Sequence, residues 1–393
     1  MPPMLCSNSN ASPRTTVSLL ALAGVFVALT PSAATAIEIK LTAQLDSTVE
    51  YNDNILLSNT NKTSATSFAV NPQVTVSGEN ERNKISLTGT GRVERFDGIS
   101  NRDVNDYGVS FTDSYAASER LTLGANASYN RESLLRAEIQ DTGLIALQGH
   151  RTTITGGGNI GYKLSDTDQI SLSGGYSDQS YSSALLFDYA DYQASVAWQR
   201  QLSDRVSLTT SLSGAIEEPN SPVVPRSRYG QGTLGLNYAL SEVASVGAYA
   251  GANYVESSLP GSGKVGVSAG GDATLKYEFT TLTASVSYGI SPSGVGQLTR
   301  STTATVGFSR QLDQHLYVDA GADIRFNKPQ SNVLFSYNRR YYDGSASLRW
   351  EFARHFGLAA YYRYSRQRLT TNGLWASANT AGVHLVMYSE PRE

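Results

Sequence analysis

Residues 37 to 51, IEIKLTAQLDSTVEY, alternate without a break. The odd positions are Ile37, Ile39, Leu41, Ala43, Leu45, Ser47, Val49 and Tyr51, and the even ones are Glu38, Lys40, Thr42, Gln44, Asp46, Thr48 and Glu50. Successive side chains of a strand point to opposite faces, so this period of two specifies a strand with one apolar and one hydrated face. A helix would scatter the same apolar groups all round. Ordinary strands run about five or six residues, whereas a tilted strand crossing a bilayer needs about nine to eleven. This stretch has membrane length.

Ahead of it, residues 1–36 have the form of a cleaved export signal. Arg14 is the only charge, Val17 to Thr30 is a short apolar run, and Pro31 precedes the small-x-small tripeptide Ala34-Thr35-Ala36. The run is shorter than the roughly 20 apolar residues of a membrane helix. The expected mature chain starts at Ile37. It leaves behind Cys6, the only cysteine, and so holds no disulfide.

Without Arg14 the chain carries 30 basic against 34 acidic residues, which excludes the strongly basic face of a nucleic-acid binder. Its 23 tyrosines, 35 glycines and slightly negative mean hydropathy suit a transmembrane barrel, whose lipid-facing and lumen-facing residues average out as polar.

The alternation recurs to the end of the chain. Phe68, Val70, Pro72, Val74 and Val76 share a face, as do Ile85, Leu87, Gly89, Gly91 and Val93. From residue 152 a unit of about 40 residues repeats, in which an aromatic and then a leucine enter a short polar turn, as in WQRQLSDRVSLTTSLSG (198–214) and FSRQLDQHLYVDAGADIRF (308–326). Short turns are predicted near 78–83, 116–120, 165–168, 203–205, 241–245, 280–281, 313–315 and 353–355. Longer connections are predicted near 52–65, 97–104, 131–150, 178–188, 217–228, 255–263, 291–297, 327–335 and 366–373.

Seventeen connections imply eighteen strands, to within two. The expected fold is therefore an all-β transmembrane antiparallel β-barrel of 16–18 strands over residues 37–388, with both termini in the periplasm and a short periplasmic tail, 389–393. Such a sheet must close on itself, because hydrocarbon satisfies no bare strand edge. The last strand, near Trp375 to Tyr388, should pair with the first. Aromatics fall in two belts, Tyr51, Tyr129, Tyr176, Tyr254, Tyr288 and Tyr364 toward one end and Tyr115, Tyr162, Trp198, Tyr238, Tyr277, Phe308 and Trp350 toward the other, as bilayer interfaces favour. A soluble propeller also repeats near 40 residues, but it would bury both faces.

Catalytic chemistry has no foothold. The four histidines, His150, His315, His355 and His384, lack a serine or carboxylate arrangement for nucleophilic catalysis. Gly261-Ser262-Gly263-Lys264-Val265-Gly266 matches a dinucleotide fingerprint in letters but opens a strand. No cluster has metal-ligand spacing; Asn52-Asp53-Asn54 could hold a cation, though a polar loop start is the simpler reading. No cofactor is expected.

What remains is the lumen phase, where selectivity would reside. It receives Lys40, Asp46, Arg92, Glu94, Asp272, Lys276, Tyr317, Asp319, Asp323, Arg325, Arg339, Tyr341, Asp343, Arg349, Tyr361 and Arg363. Mixed charge is ordinary for a hydrated barrel wall, and it also suits a channel for a polar, extended solute. Tyr249, Tyr317, Tyr341 and Tyr361 could stack on sugar faces. The segment 131–150, with Leu134, Leu135, Ile139, Leu144, Ile145 and Leu147, should either cap the outer mouth with a short helix, the preferred reading, or fold inward as a plug. Pro72, inside a closed sheet, predicts a bulge or kink.

Val49-Glu50-Tyr51-Asn52-Asp53-Asn54-Ile55, the Pro-containing second strand, the Gly-Glu-Asn-Glu-Arg-Asn turn and Arg92-Val93-Glu94-Arg95-Phe96 together resemble β-barrel porins found with capsule and exopolysaccharide systems. The resemblance implies an outer-membrane passage for polymer delivered by periplasmic polysaccharide-export proteins. Thr380 to Met387 resembles the terminal strand read by the outer-membrane barrel assembly machinery. Two other readings stay open: a general or substrate-selective diffusion porin, and a structural scaffold or hydrolase on a barrel.

Overall fold

The computed structural model describes residues 37–139, 147–222, 224–258, 263–291, 298–329, 338–369 and 373–390. The predicted leader, residues 140–146 of the leucine-rich segment, Gly261 and Ser262 of the fingerprint and the end of the tail lie outside them.

Eighteen strands make up almost all of it. They are β1 (Glu38–Asn52), β2 (Ala65–Glu79), β3 (Asn83–Phe96), β4 (Val104–Ala116), β5 (Leu121–Ser133), β6 (His150–Lys163), β7 (Asp168–Tyr181), β8 (Tyr189–Ser203) and β9 (Val206–Pro219). Then follow β10 (Ser227–Ala239), β11 (Ala244–Ser257), β12 (Lys264–Tyr277), β13 (Thr280–Ser291), β14 (Thr299–Asp313), β15 (Leu316–Pro329), β16 (Arg339–Ala353), β17 (Phe356–Leu369) and β18 (Trp375–Tyr388). Each pairs with its neighbours in sequence. β1 returns to β18 over Gln44↔Tyr388 through Asn52↔Thr380, so the sheet has no edge. The short and long connections fall within a few residues of their predicted places.

The outer surface carries the apolar phase: Leu41, Val49, Leu87, Leu172, Leu212, Leu234, Val267, Val306 and Leu348 are all exposed. On a soluble protein this would be a large sticky surface; on a closed barrel it is the lipid face. The aromatics at its ends interact across strands, with Tyr107 stacked on Tyr129 at 6.1 Å between centroids and Tyr176 tilted on Tyr192 at 5.1 Å.

Two details depart from sequence reasoning. The leucine of the repeat is a bulge residue: register shifts between Gln201 and Ser203 and between Gln311 and Asp313, leaving Leu202 and Leu312 out of the ladder and exposed. A bulge tightens the local twist just before a two-residue turn. Pro72, in contrast, makes no bulge. Register is the same at Val70↔Val93 and Gln73↔Thr90, and only the pairing at 71–72 is skipped. Gly91 faces the proline, and a Cβ there would lie 3.3 Å from Pro72 Cγ, so the bare backbone of β3 makes the room.

At the seam, the triplet Asn52-Asp53-Asn54 clasps β1 to β18. Asn54 is 1% exposed; its amide nitrogen donates to the Ser58 carbonyl at 2.7 Å and the Ser377 carbonyl at 2.9 Å, and its oxygen accepts from Ser58 N–H at 3.0 Å. Asn379 donates to both Asp53 oxygens, from its backbone at 2.8 Å and its side chain at 2.7 Å. Asn52 donates to Thr380 Oγ1 at 2.9 Å. Partial burial opposes ionisation of Asp53, but the two Asn379 bonds and the charge of Lys62 outweigh it and hold the carboxyl below its ordinary range. Ser389 continues the seam through its N–H to the Ala43 carbonyl at 2.8 Å.

Candidate functional site: the charged lumen wall and its mouth

The residues opposite the lipid phase form the wall of the bore, and the structure gathers most of the predicted ones into clusters beside the seam. On β15 to β17, register sets Asp323 directly opposite Asp343. Like charges so placed repel. Each is answered by an arginine: Arg325 Nε lies 2.7 Å from Asp323 Oδ1, and Arg363 Nε lies 2.7 Å from Asp343 Oδ2. Ser365 Oγ at 2.6 Å and Tyr341 OH at 3.1 Å also donate to Asp343 Oδ2.

Across the seam, Arg92 bridges Glu94 at 2.8 Å and donates to Asn71 Oδ1 at 2.9 Å, while Ser67 Oγ donates to Glu94 Oε1 at 2.9 Å. Tyr361 OH donates to Glu50 from the opposite side of the seam. Nearer the short-turn end, Arg349 covers the Tyr317 ring at 4.6 Å and lies 3.7 Å from Glu351. Lys40 turns away to Glu390 at 2.6 Å. Asp46 accepts from Gln44 Nε2 at 3.3 Å, and Asp272 sits against Gly247. Asp272, Lys276 and Asp319 join no ion pair among the described residues.

The tyrosines do not project as stacking platforms. Tyr361 lies over its cross-strand partner Gly382, where a Cβ would come 2.7 Å from the ring, and Tyr249 lies over Gly270 in the same way at 2.5 Å. Tyr317 is covered by Arg349. Tyr341 is 2% exposed beneath Arg339, whose guanidinium carbon is 4.6 Å from the ring centre. Of the four, Tyr341 is buried and Tyr317 is covered, while Tyr249 stays exposed at 36% with its ring along the wall.

Sequence reasoning left two seats open for the β5–β6 segment. It forms a short helix, a single turn at Leu134–Ala137, and its leucines pack inward against wall residues, as the second of those readings has it. Leu134, fully buried, packs with Leu186, Leu147 and Tyr181 on the β7–β8 side. Leu135 and Ile139 pack on Leu57, Tyr341, Ala376 and Ala378 of the β16–β18 side and the β1–β2 loop. Tyr181 and Tyr341 stand on strands nine apart in an eighteen-strand barrel, so adjacent residues of one turn meet opposite walls. Polar contacts fix this seat. Arg339, 1% exposed, donates to the Ile139 carbonyl and, at 3.3 Å, to Gln367 Oε1; the fully buried Glu138 meets Arg151 at 3.7 Å. Arg136 reaches Asp106 at 3.5 Å. Burial and the nearby Arg92 charge pull the Arg136 guanidinium below its ordinary value. The run of leucines was the only sequence signal for this arrangement.

No protein-family profile and no curated protein matches the sequence. Solved structures do. OpdO from Pseudomonas aeruginosa aligns with 89% of this chain and 97% of its own at 11% identity and a TM-score of 0.49. A BenF-like porin from Pseudomonas fluorescens Pf-5 aligns with 89% and 99% at 11% identity and 0.49, and the siderophore receptor PirA from Pseudomonas aeruginosa with 90% and 81% at 10% identity and 0.47. None of these names concerns capsule or exopolysaccharide. Of the resemblance seen in the sequence, the barrel stands, and the tie to polymer export has no further support.

Proposed function

We propose that this chain is a substrate-selective diffusion channel of the outer membrane, a conduit for small polar solutes and not an enzyme. The observation that carries this reading is the seat of the Leu134–Ala137 turn against both walls of the mouth. Eighteen strands about 4.8 Å apart and tilted about 40° enclose a circle of backbone roughly 36 Å across. A helix with its side chains is only about 10–12 Å wide. It can touch clusters on both sides only because the flanking loops lean in. The bore at this level is thus set by the segment, and a solute passes through what it leaves, along the arginine and carboxylate clusters beside the seam.

Liposome swelling and single-channel recording on the folded barrel test this. Steady conductance with uptake that falls steeply with solute size is expected. A channel silent on its own, with a deletion strain that loses surface polysaccharide but keeps small-solute uptake, would refute it. That second outcome is what polymer export predicts. The reading is favoured by the resemblance of the opening segment, and it requires an export partner to lift the Leu134–Ala137 turn from its seat. In either case the cleaved leader, the periplasmic termini and insertion by the barrel assembly machinery through β18 belong to the proposal.

A further inference from the structure

Across β7 to β10, one row of wall residues is oxygen throughout. Register sets Ser177 opposite Asp191, Asp191 opposite Glu217, and Glu217 opposite Ser227. All four lie on the face opposite the exposed Tyr176, Tyr192, Leu212 and Leu234. Tyr229 stands two residues beyond Ser227 on that face, diagonal to Glu217. Directly opposed residues hold their Cβ atoms about 4.5–5.5 Å apart, and diagonal ones remain within reach of a long side chain.

The two carboxylates are deeply buried, Glu217 at 1% and Asp191 at 9% exposure. Neither Glu217 oxygen, nor Asp191 Oδ1, has a hydrogen-bond partner among the described residues. The nearest arginine in sequence, Arg226, is engaged by Glu218 at 2.8 Å. The contrast with Asp323 and Asp343 is direct: the same like-charge register is answered there by two arginines and here, among the described residues, by none. Buried carboxylates facing one another without donors are relieved either by a shared proton or by a bound cation.

We propose that Asp191 and Glu217, flanked by Ser177, Ser227 and Tyr229, hold a hard divalent cation of the calcium class, tying β8 to β9 near the long-loop mouth. Such an ion takes six to eight oxygen ligands, and this row offers oxygen alone, with no imidazole or thiolate to favour a softer metal. Two carboxylates with neutral oxygens suit the weak range of extracellular sites, a Kd of about 10⁻⁴–10⁻³ M.

Terbium, which occupies calcium sites and emits when a nearby tyrosine is excited, is the probe. The full chain folded in detergent micelles should give saturable tyrosine-sensitised emission that calcium displaces, and calcium should raise its unfolding temperature. In Glu217→Gln and Asp191→Asn, calcium affinity should fall by about tenfold or more, and the thermal shift should vanish. Identical terbium and calcium responses in the wild type and both variants would overturn the proposal. So would a wild type indifferent to calcium alongside a stabilised Glu217→Gln, the mark of a pair sharing a proton. Should either variant fail to fold, the other, with the wild-type titration, still decides.

Discussion

Replacing Asn54 by alanine tests whether the clasp closes the barrel. The side chain makes three hydrogen bonds, two to carbonyls on either side of the seam and one from Ser58 N–H, and it is 1% exposed. At about 0.5–1.5 kcal/mol net for each bond, the substitution should cost roughly 1.5–4.5 kcal/mol, with the upper half favoured because buried backbone groups lose their partners. Asn54→Asp should cost at least as much, since the acid keeps the acceptor, loses both donors and adds a buried charge. The exposed Asn61→Ala should stay within about 0.5 kcal/mol. Urea unfolding of the barrel in lipid vesicles, followed by tryptophan fluorescence, measures these differences. A change below about 0.5 kcal/mol in Asn54→Ala, or an Asn54→Asp as stable as wild type, would show that the β1–β18 ladder closes the sheet without the clasp.

Three further outcomes follow from the same geometry. Arg339→Ala removes the charge-assisted bond to the Ile139 carbonyl that seats the β5–β6 segment; at about 1.5 kcal/mol, the open fraction should rise by roughly tenfold, read as larger or more frequent conductance steps. Asp343→Asn leaves Arg363 without its counter-charge in the bore, so the reversal potential in a salt gradient should shift toward anion preference, with a stability loss of about 1–3 kcal/mol. Asp53, held below its ordinary range, adds stability that is complete above the unfolded-state pKa and is lost as pH falls through the lower folded value; Asp53→Asn should therefore lower the unfolding temperature most at neutral pH and flatten the acid limb, the two profiles converging in acid.

Much of the fold was legible in residue order, because a period of two and the alternation of short and long connections are local signals. Glu38 to Asn52 reads as a strand without any knowledge of its partners. The two phases of each strand are legible for the same reason, since a face follows from counting residues. The rest depended on what register brings together. Asn54 meets Ser377 across 323 residues and Arg339 meets Ile139 across 200, and no local pattern announces either pairing. Tyr249 and Tyr361 lie against the wall because their cross-strand partners are glycines, and Tyr317 and Tyr341 meet arginines, facts of register and not of composition. Pro72 needs no bulge because the space it takes comes from Gly91 on the adjacent strand.

Those tyrosine and glycine pairs imply something about how such a channel can be retuned. At Gly382 and Gly270 the wall is recessed to bare backbone, and a phenol ring fills each recess instead of standing in the bore. A single methyl at either site would come within 2.7 Å of the ring and force it off the wall. The caliber of the passage is therefore adjustable one glycine at a time, while strand number, shear and the lipid-facing surface stay as they are.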